Sequence, residues 1–414
     1  MRLLSIMAAL LAFAAPALTQ SLPEKIIFDD VIDFAFQSNP RTELDWQDVA
    51  VARADRTSAG AWPNPTVTYG GAYQTGPLTN FEGHKAHEVG VEFPLLIGGQ
   101  RRARIEAAEQ GLRATEARVK AAATERAVEA GAAYIELLVA QEKLRLLEER
   151  QKEIVRLRKL VEGRRSSGMA SDYDLERIEV EGAIWLSDVG EAKADLAGKR
   201  ARLAAIFGVE NWRPRGAGKL RPWRLSALSG YDDYIVEHPT VTAARRDVSH
   251  AQASLETARR ERFPEVSVNT GRFWTESPYG STTNIGVSLE IPIFDRREGA
   301  VEKAEAEVRT AYLKLRVANA EVHADLVKYA SQVRERGAAF ENFRANVNPR
   351  LAKLKRMSED AYKLSGGTIA DLLDATRTRV ESTVSGVELT GSLMEAQLRF
   401  QAARGDIAAL LTEP

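Results

Sequence analysis

The clearest candidates for chemistry are two carboxylates near the C-terminal end of the chain, Asp371 and Asp374. They are three residues apart, so on a helix they share one face. Two carboxylates on one exposed face attract cations and repel anions, as acidic rings do in ion-conducting pores. The same pair also suits the first turn of a helix, where the macrodipole favours negative charge. The sequence leaves both interpretations open.

A second pair of carboxylates, Glu92 and Glu290, occupies equivalent places in two similar stretches of alternating polar and apolar residues. On a strand with that alternation each glutamate falls on the polar face. The pair predicts a second acidic site on the polar side of a sheet. The alternative is that both are ordinary polar residues of a solvated face.

The five histidines do not predict a metal centre. His84 and His87 are predicted to share a loop and could touch a metal ion, but no third ligand is identifiable. We find no nucleophile elbow, phosphate-binding loop, zinc-protease helix or dinucleotide fingerprint. The sequence therefore predicts no enzyme, no catalytic residue, no cofactor and no dedicated metal site.

Composition narrows the partner classes further. The 57 basic and 58 acidic residues give a formal net charge of −1, which offers no electrostatic reason to expect a nucleic-acid partner. The chain has no cysteine, so disulfides, thiolate metal ligands and a cysteine nucleophile are excluded. Sparse aromatics with abundant Ala, Glu, Arg and Leu are typical of long helices.

The first 20 residues have the features of a secretory signal peptide. Arg2 precedes an apolar run from Leu3 to Ala15, and Ala15 and Ala17 form a small-residue cleavage site. An anchoring transmembrane helix is the alternative. We disfavour it because the run is too short for a hydrocarbon core of about 30 Å.

An internal duplication organises the rest of the chain. The two halves match in the same order at an offset of about 199, which predicts a first repeat over 21–208, a connector over 209–230 and a second repeat over 231–414. The matched positions are Pro40 with Pro239, Pro65 with Pro264, Pro94 with Pro292, and Gly168–Asp172 with Gly367–Asp371. The connector is rich in Pro, Gly, Trp and Arg, and we expect it to pack on the outside of the body.

Each repeat is predicted to contain one helix, two short strands and two very long helices. In the strand that runs through Ile285, Leu289 and Ile293, every second residue is apolar, which is the period of a sheet with one apolar face. Aromatic residues cluster near the strand ends, as at the interfaces of membrane barrels. Four strands cannot close a barrel alone, so strands that enter a membrane require oligomerisation, and three copies supply twelve. The alternative is a pair of soluble hairpins in an α+β domain.

The long helices favour the oligomer over a compact domain. No proline occurs from Gln100 to Gly163 or from Glu302 to Asn348, and about 65 residues at 1.5 Å each make a rod of roughly 100 Å. Apolar residues recur with the steps of three, four and seven that are typical of coiled coils. Glycine-containing turns near Gly168 and Gly366 end the two hairpins.

On these features the sequence resembles the TolC-like outer-membrane efflux proteins over essentially the whole mature chain. The segments that carry the resemblance are Asn64–Val67, Phe93–Arg102, Phe263–Val268, Ile291–Gly299 and Gly366–Thr376. Phe93–Arg102 and Ile291–Gly299 look more like the heavy-metal (cobalt–zinc–cadmium) branch than the drug branch.

The resemblance implies a mainly α homotrimer in which a twelve-stranded outer-membrane β-barrel, four strands per chain, continues as a long α-helical coiled-coil barrel in the periplasm. It implies a passive outer-membrane channel of a tripartite efflux system, with a periplasmic adaptor protein, an inner-membrane resistance–nodulation–division pump and outer-membrane lipid as partners. By position it places the periplasmic aperture at Tyr362, Asp371 and Asp374. In such a trimer Glu92 and Glu290, on the polar faces of their strands, would form a second acidic ring inside the barrel or be ordinary polar lining. It places adaptor docking at the two tips, namely Gly168, Met169, Ala170 and Ser171, and Gly366, Gly367, Thr368 and Ile369. Some relatives carry a basic residue where Gly367 stands, so a gate held by that cation is not expected here.

Three other functions remain. A duct for drugs or other organic compounds would look the same in most segments. A periplasmic adaptor would show one hairpin and a split lipoyl-like domain rather than a tandem duplication. A purely structural coiled-coil protein would leave the four alternating strands without a role.

Overall fold

Helices dominate the structure and the β part is small, as the sequence predicts. We describe a computed structural model over residues 22–36, 40–73, 85–225, 232–275, 280–364 and 366–411; the predicted signal peptide and His84 lie outside these residues. The helices are α1 (Phe28–Phe36), α2 (Pro40–Ala59), α3 (Gln100–Ser166), α4 (Asp172–Phe207), α5 (Asp232–Glu237), α6 (Pro239–Arg260), α7 (Glu298–Asn342), α8 (Asn348–Lys363) and α9 (Ile369–Ala403). The strands are β1 (Lys25–Ile26), β2 (Thr66–Tyr73), β3 (Lys85–Leu95), β4 (Arg215–Gly216), β5 (Val266–Thr275) and β6 (Ser281–Leu289).

The duplication is visible in the order of the elements. The series α2, β2, β3, α3 and α4 is followed by the equivalent series α6, β5, β6, α7 with α8, and α9. The domain boundaries at 21–208, 209–230 and 231–414 remain a prediction.

The two repeats contribute two strands each to one antiparallel sheet of order β2-β3-β5-β6. Directly paired residues share a face, so Glu92 lies with its partners Thr66 and Asn269 on a polar face. The opposite face is apolar and exposed. It includes Val67, Tyr69, Val89, Val91, Ile285, Val287 and Leu289. The predicted alternation of period two is confirmed.

The last predicted strand is shorter than its alternation suggested. Strand β6 ends at Leu289, and Ile291 and Ile293 lie beyond it. Pro292 has no amide hydrogen to donate to a ladder. A turn follows in which the Arg297 amide donates to Asp295 Oδ1 at 2.8 Å and Arg297 adopts a φ of 53°.

Helix α3 is the centre of the helical layer. It spans 67 residues, roughly 100 Å at 1.5 Å per residue, and α2, α4, α6 and α9 all pack against it. Helix α7 packs on α6 and α9, and α8 packs on α9. Helices α2 and α4 therefore form one margin of the layer, and α7 and α8 form the other. Among the described residues, no helix is both long and apolar enough to cross a bilayer.

The counterpart of α3 in the second repeat is interrupted. Between α7 and α8 the chain forms a π-helical segment, Phe343–Val347, just before Pro349. In a regular α-helix the proline ring would clash with the carbonyl four residues earlier. A π-bulge relieves that clash. On the facing helix, Gly386 makes room for the bulge, since a Cβ there would lie 2.5 Å from Phe343 Cε1.

The connector packs on the outside of the body, as expected, and two glutamines hold its backbone. Gln141 on α3 accepts a hydrogen bond from the Gly216 amide at 2.8 Å and donates one to the Gly216 carbonyl at 3.0 Å. Gln397 on α9 accepts a hydrogen bond from the Trp223 amide at 3.0 Å and donates one to the Trp223 carbonyl at 2.8 Å. Each glutamine side chain thus makes the paired donor and acceptor bonds that a neighbouring β-strand would make. Both contacts lie about halfway along the long helices.

Candidate functional site at the helix tips and in the sheet

The two hairpin turns lie side by side at the end of the layer, and each is followed by a capping box. In the first, Gly168 adopts a φ of 76°, and the Asp174 amide donates to Ser171 Oγ at 3.2 Å while the Ser171 amide donates to Asp174 Oδ2 at 2.9 Å. These bonds provide acceptors for backbone amides at the start of α4, which have no acceptor within the helix.

The second tip repeats this geometry with Thr368 and Asp371. The Asp371 amide donates to Thr368 Oγ1 at 3.2 Å, and the Thr368 amide donates to Asp371 Oδ2 at 2.9 Å. The Thr368 hydroxyl donates to the same carboxylate oxygen at 2.7 Å. The bonds from Thr368 lower the pKa of Asp371 below its usual value. Asp371 therefore acts as a helix cap. Asp374 is exposed and makes no hydrogen bond or ion pair with the described residues.

The capping boxes correct the repeat alignment at the tips. Ser171 and Asp174 correspond to Thr368 and Asp371, an offset of 197 rather than about 199. Asp172 therefore does not correspond to Asp371. A cap fixes which residue begins a helix, so it defines equivalent positions more firmly than a matched glycine does.

The Tyr362 hydroxyl is buried and makes no hydrogen bond with either aspartate. The residue is 3% exposed and packs in a core of the tip formed by Ile154, Leu157, Val161, Ile178, Trp185, Ile369, Leu372 and Leu373. Burial raises the pKa of Tyr362, and the nearby Asp174 carboxylate adds to the effect. In this chain the phenol faces the interior, so its assignment to an aperture remains a prediction that would require the tip to rearrange.

Arg164 ties the ends of the two hairpins together. Its guanidinium donates to the carbonyls of Tyr362 and Lys363, the latter at 3.0 Å, and to the carbonyl of Met169 at 3.3 Å. Its Cζ also lies 4.7 Å from the centre of the Tyr362 ring. Of the predicted docking residues, Met169 is 59% exposed whereas Ile369 is buried in the tip core. An adaptor that meets this tip would meet Met169 and not Ile369.

Sequence reasoning missed two charge clusters above the tips. In the first, Glu181 on α4 is buried and accepts from Trp185 Nε1 at 2.7 Å and from Arg377 on α9 at 2.8 Å. Arg150 on α3 is 7% exposed, stacks over the Trp185 ring at 3.5 Å, and lies 3.8 Å from Glu181. Burial lowers the pKa of Arg150 to about 10.

In the second cluster Glu153 on α3 meets cations from both helices of the other hairpin. It pairs with Arg379 on α9 and with Lys355 on α8, the latter at 3.0 Å. Burial opposes ionisation of Glu153, but Lys355 and Arg379 outweigh it and lower its pKa. The signal that could have found both clusters is the presence of charged residues at positions of the apolar repeat, such as Arg150 between Leu147 and Ile154.

In the sheet, the structure corrects two assignments. Glu290 lies just past the end of β6, where its amide donates to the Glu265 carbonyl at 2.9 Å, so only Glu92 is a strand residue. His87 lies within β3 and not in a loop. Its ring stacks between Tyr69 and Trp274, and its Nδ1 lies 2.9 Å from the Tyr69 hydroxyl. Among the described residues, no three His, Asp or Glu side chains are grouped as metal ligands.

Comparison with known proteins agrees with this geometry. The chain is 24% identical over 316 residues to the cobalt-zinc-cadmium resistance protein CzcC of Cupriavidus metallidurans, covering 74% of each chain. It is 25% identical over 293 residues to the nickel-cobalt-cadmium resistance protein NccC of Alcaligenes xylosoxydans xylosoxydans, covering 69% of this chain and 65% of that one.

The fold matches that of solved channels. The crystal structure of the CmeC outer membrane channel of Campylobacter jejuni superposes with a TM-score of 0.78 at 14% identity, covering 93% of this chain and 88% of the other. The sequence matches the outer membrane efflux protein family over residues 31–209 and 230–406, one match for each repeat. The chain belongs to the outer membrane efflux protein family.

Proposed function

We propose that three copies of this chain form a passive conduit that spans the outer membrane as a twelve-stranded barrel and continues through the periplasm as a helical tunnel. The observation that carries the proposal is the sheet. Strands β2 and β6 form its two edges without a further partner among the described residues, and its apolar face is open, with Val67, Ile285 and Val287 69–80% exposed. When copies pair edge to edge in lipid, the edge strands gain hydrogen-bond partners and the apolar face contacts hydrocarbon.

The helical layer has two free margins that fit each other. Val180 and Ile184 are exposed on α4, and Met357 is exposed on α8 at about the same level of the opposite margin. Residues 172–188 include six acids and one base, whereas α8 includes five bases and two acids; of these, Glu181 and Lys355 are already paired inside the chain. Opposite charge on opposite margins favours head-to-tail contact between copies, which closes a ring.

The polar face of the sheet becomes the lining of the barrel in this assembly. Three of its residues are glycines, Gly90, Gly271 and Gly286, and side chains from neighbouring strands fill the space where their Cβ atoms would be. Small residues of this kind leave the lumen wide. Glu92, and Glu290 just below it, add negative charge to a water-filled channel.

At the periplasmic end, threefold symmetry turns Asp371 and Asp374 into a ring of six carboxylates that favours cations. Gly168–Ser171 and Gly366–Ile369 form the surface that meets a periplasmic adaptor, and an inner-membrane pump of the resistance–nodulation–division class supplies the energy. A passive duct of this kind requires no catalytic residue and no cofactor.

We infer that the cargo is a divalent heavy-metal cation. The support is the activity named for the similar proteins, which are resistance proteins for cobalt, zinc, cadmium and nickel, together with acidic candidates at the tip and where the sheet meets the helices. Growth of a deletion strain on graded zinc, cobalt, cadmium and nickel, beside a panel of dyes and antibiotics, tests it. Sensitivity to organic compounds together with normal metal tolerance would contradict the metal cargo and would not affect the proposed conduit.

The absence of cysteine allows a direct test of the assembly. Pairs of Arg158 with Glu179 and of Arg156 with Glu359 show that Val180 and Met357, both exposed, lie at one level on opposite margins. A chain with Val180→Cys and Met357→Cys should form a covalent trimer with a short thiol cross-linker, and neither single variant should. Cross-linking of a single variant to itself would indicate a two-fold contact and contradict the head-to-tail ring.

A further inference from the structure

The connector carries an unusual concentration of unpaired positive charge. Residues 209–225 include one acid and five bases, all of the bases exposed. The bases are Arg213, Arg215, Lys219, Arg221 and Arg224. None of them forms an ion pair with another described residue, although arginines and lysines along the helices pair repeatedly, as Lys199 and Arg202 do with Glu136. Cations that a folded chain leaves unpaired in one place attract an external anion.

Three of these cations stand at the rim of a cleft with an apolar floor. The cleft has a volume of about 680 Å³ and lies between the connector, α1, α3 and α9. Lys219, Arg221 and Arg224 line it together with Phe28, Tyr134 and Trp223. The Phe28 and Trp223 rings are 4.9 Å apart between centroids and tilted by 59°, so they form an angled aromatic platform beside positive charge.

The platform is held rigidly. Gln397 fixes the backbone of Trp223 with two hydrogen bonds, and Tyr134 donates to the Ile26 carbonyl at 3.1 Å while accepting the Gly218 amide at 3.0 Å. Gly218 cannot carry a side chain without displacing Tyr134, since a Cβ would lie 2.8 Å from its hydroxyl oxygen. A cleft whose floor is fixed before binding loses little entropy when a ligand enters.

Position along the helix excludes a membrane surface as the ligand. Tyr134 is about 34 residues into α3, so at 1.5 Å per residue the cleft lies roughly 50 Å from the sheet. In an outer-membrane protein with periplasmic helices, that point is in the aqueous space beyond the reach of lipid headgroups. One carboxylate, Asp29, also lines the cleft, and burial together with Asp33 and Asp30 raises its pKa. This carboxylate would repel a polymer that carries only negative charges. The cleft therefore suits a ligand that combines carboxylates, an amine and flat apolar faces.

We propose that this cleft binds a carboxylate-bearing glycopeptide of the cell wall and so fixes the conduit to the wall halfway along its helices. The apolar faces of sugar rings stack on Trp223 and Phe28, the carboxylates pair with Arg221 and Arg224, and a free peptide amine approaches Asp29. The proposal rests on the proposed conduit with its periplasmic helices, but not on the identity of the cargo.

Co-sedimentation of the purified full-length protein with insoluble cell-wall sacculi tests the proposal, with chitin particles as a neutral glycan control. We expect Arg221→Glu with Arg224→Glu to lower the bound fraction about tenfold, since each attraction becomes a repulsion. The matched control is Arg213→Glu with Arg215→Glu, which changes the net charge equally outside the cleft and should lower binding less than about twofold. Equal loss in both variants would show a general charge effect and overturn the site.

Two further arms identify the ligand. Amidation of the wall carboxylates should abolish binding by the unaltered protein, and binding that survives amidation would overturn the proposal. Competition by soluble polyglutamate as strong as that by soluble wall glycopeptides would indicate an acidic protein segment instead, which also overturns it. The cleft variants should still form trimers and restore growth on metals, so failure of the wall site and failure of the conduit are separable.

Discussion

The two helical hairpins of this chain follow one repeated pattern but contribute opposite charges to two buried clusters of their shared contact, whereas the more exposed pair of Arg156 with Glu359 has the reverse polarity. The first hairpin, α3 with α4, supplies the buried carboxylates Glu153 and Glu181, and the second, α8 with α9, supplies Lys355, Arg377 and Arg379. Copies of a duplicated unit are therefore not interchangeable at the contact. The difference gives the contact one favoured partner arrangement, because like hairpins would place like charges together in a buried site.

The backbones of the hairpins differ as well. Helix α3 is continuous, whereas α7 and α8 are separated by the π-helical segment before Pro349. The two copies stay alike only where the requirement is local, at the capping boxes that begin α4 and α9. The comparison teaches that short-range caps persist between repeats while residues at long-range contacts diverge.

The largest expected effect comes from removing the first shared charge cluster. Glu181→Gln removes one of the two carboxylates beside the buried Arg150, leaving Asp188 at 3.6 Å, and weakens the bond to Arg377, and we expect a loss of about 2 kcal/mol in the free energy of unfolding. Chemical denaturation followed by circular dichroism measures it. Glu179→Gln is the matched control, because its pair with Arg158 is half exposed and should contribute less than about 1 kcal/mol. Equal losses would mean that the hairpins are not held by this buried cluster.

A pH dependence should distinguish the second cluster. Since the folded pKa of Glu153 is lowered from 4.5 by Lys355 and Arg379, its contribution is fully present above about pH 4.5 and is lost as the pH falls below that value. The protection of amides near residues 153, 355 and 379, corrected for the slower intrinsic exchange at lower pH, should therefore fall between about pH 5 and about pH 3, and Glu153→Gln should remove that fall. A persistent pH dependence in the variant would assign it to another group.

A smaller effect is expected where the backbones differ. Gly386→Ala places a methyl group against the Phe343 ring and should cost about 1–3 kcal/mol. Gly337→Ala, in α7 with open space at its Cβ position, should instead stabilise the helix by up to about 1 kcal/mol. Thermal unfolding of the two variants compares them. If both stabilise the protein, the π-helical segment does not depend on the gap at Gly386.

The smallest effects on stability concern the two aspartates of the second tip. Asp371→Ala should accelerate hydrogen exchange of the first-turn amides of α9, as Asp174→Ala should for α4, because each removes half of a capping box. Asp374→Asn should leave exchange unchanged and reduce the cation preference measured from reversal potentials in planar bilayers. Unchanged selectivity in Asp374→Asn would leave the acidic ring without support and Asp371 as a cap alone.

The sequence by itself determined the features that depend on local physics. Long stretches without proline predicted the continuous helices, alternation of period two predicted the sheet with one apolar face, and matched prolines predicted the duplication. These signals are local because helix and strand periods are written into neighbouring residues. The family resemblance followed from the segments at the strand borders.

The tertiary structure alone decided which residues became neighbours. The burial of Tyr362, the stack of His87 between Tyr69 and Trp274, and the pairing of Glu181 with Arg377 depend on how helices and strands distant in sequence align. So does the use of Gln141 and Gln397 to hold the connector. Side-chain contacts of this kind are set by packing between elements, and no period within a single segment encodes them.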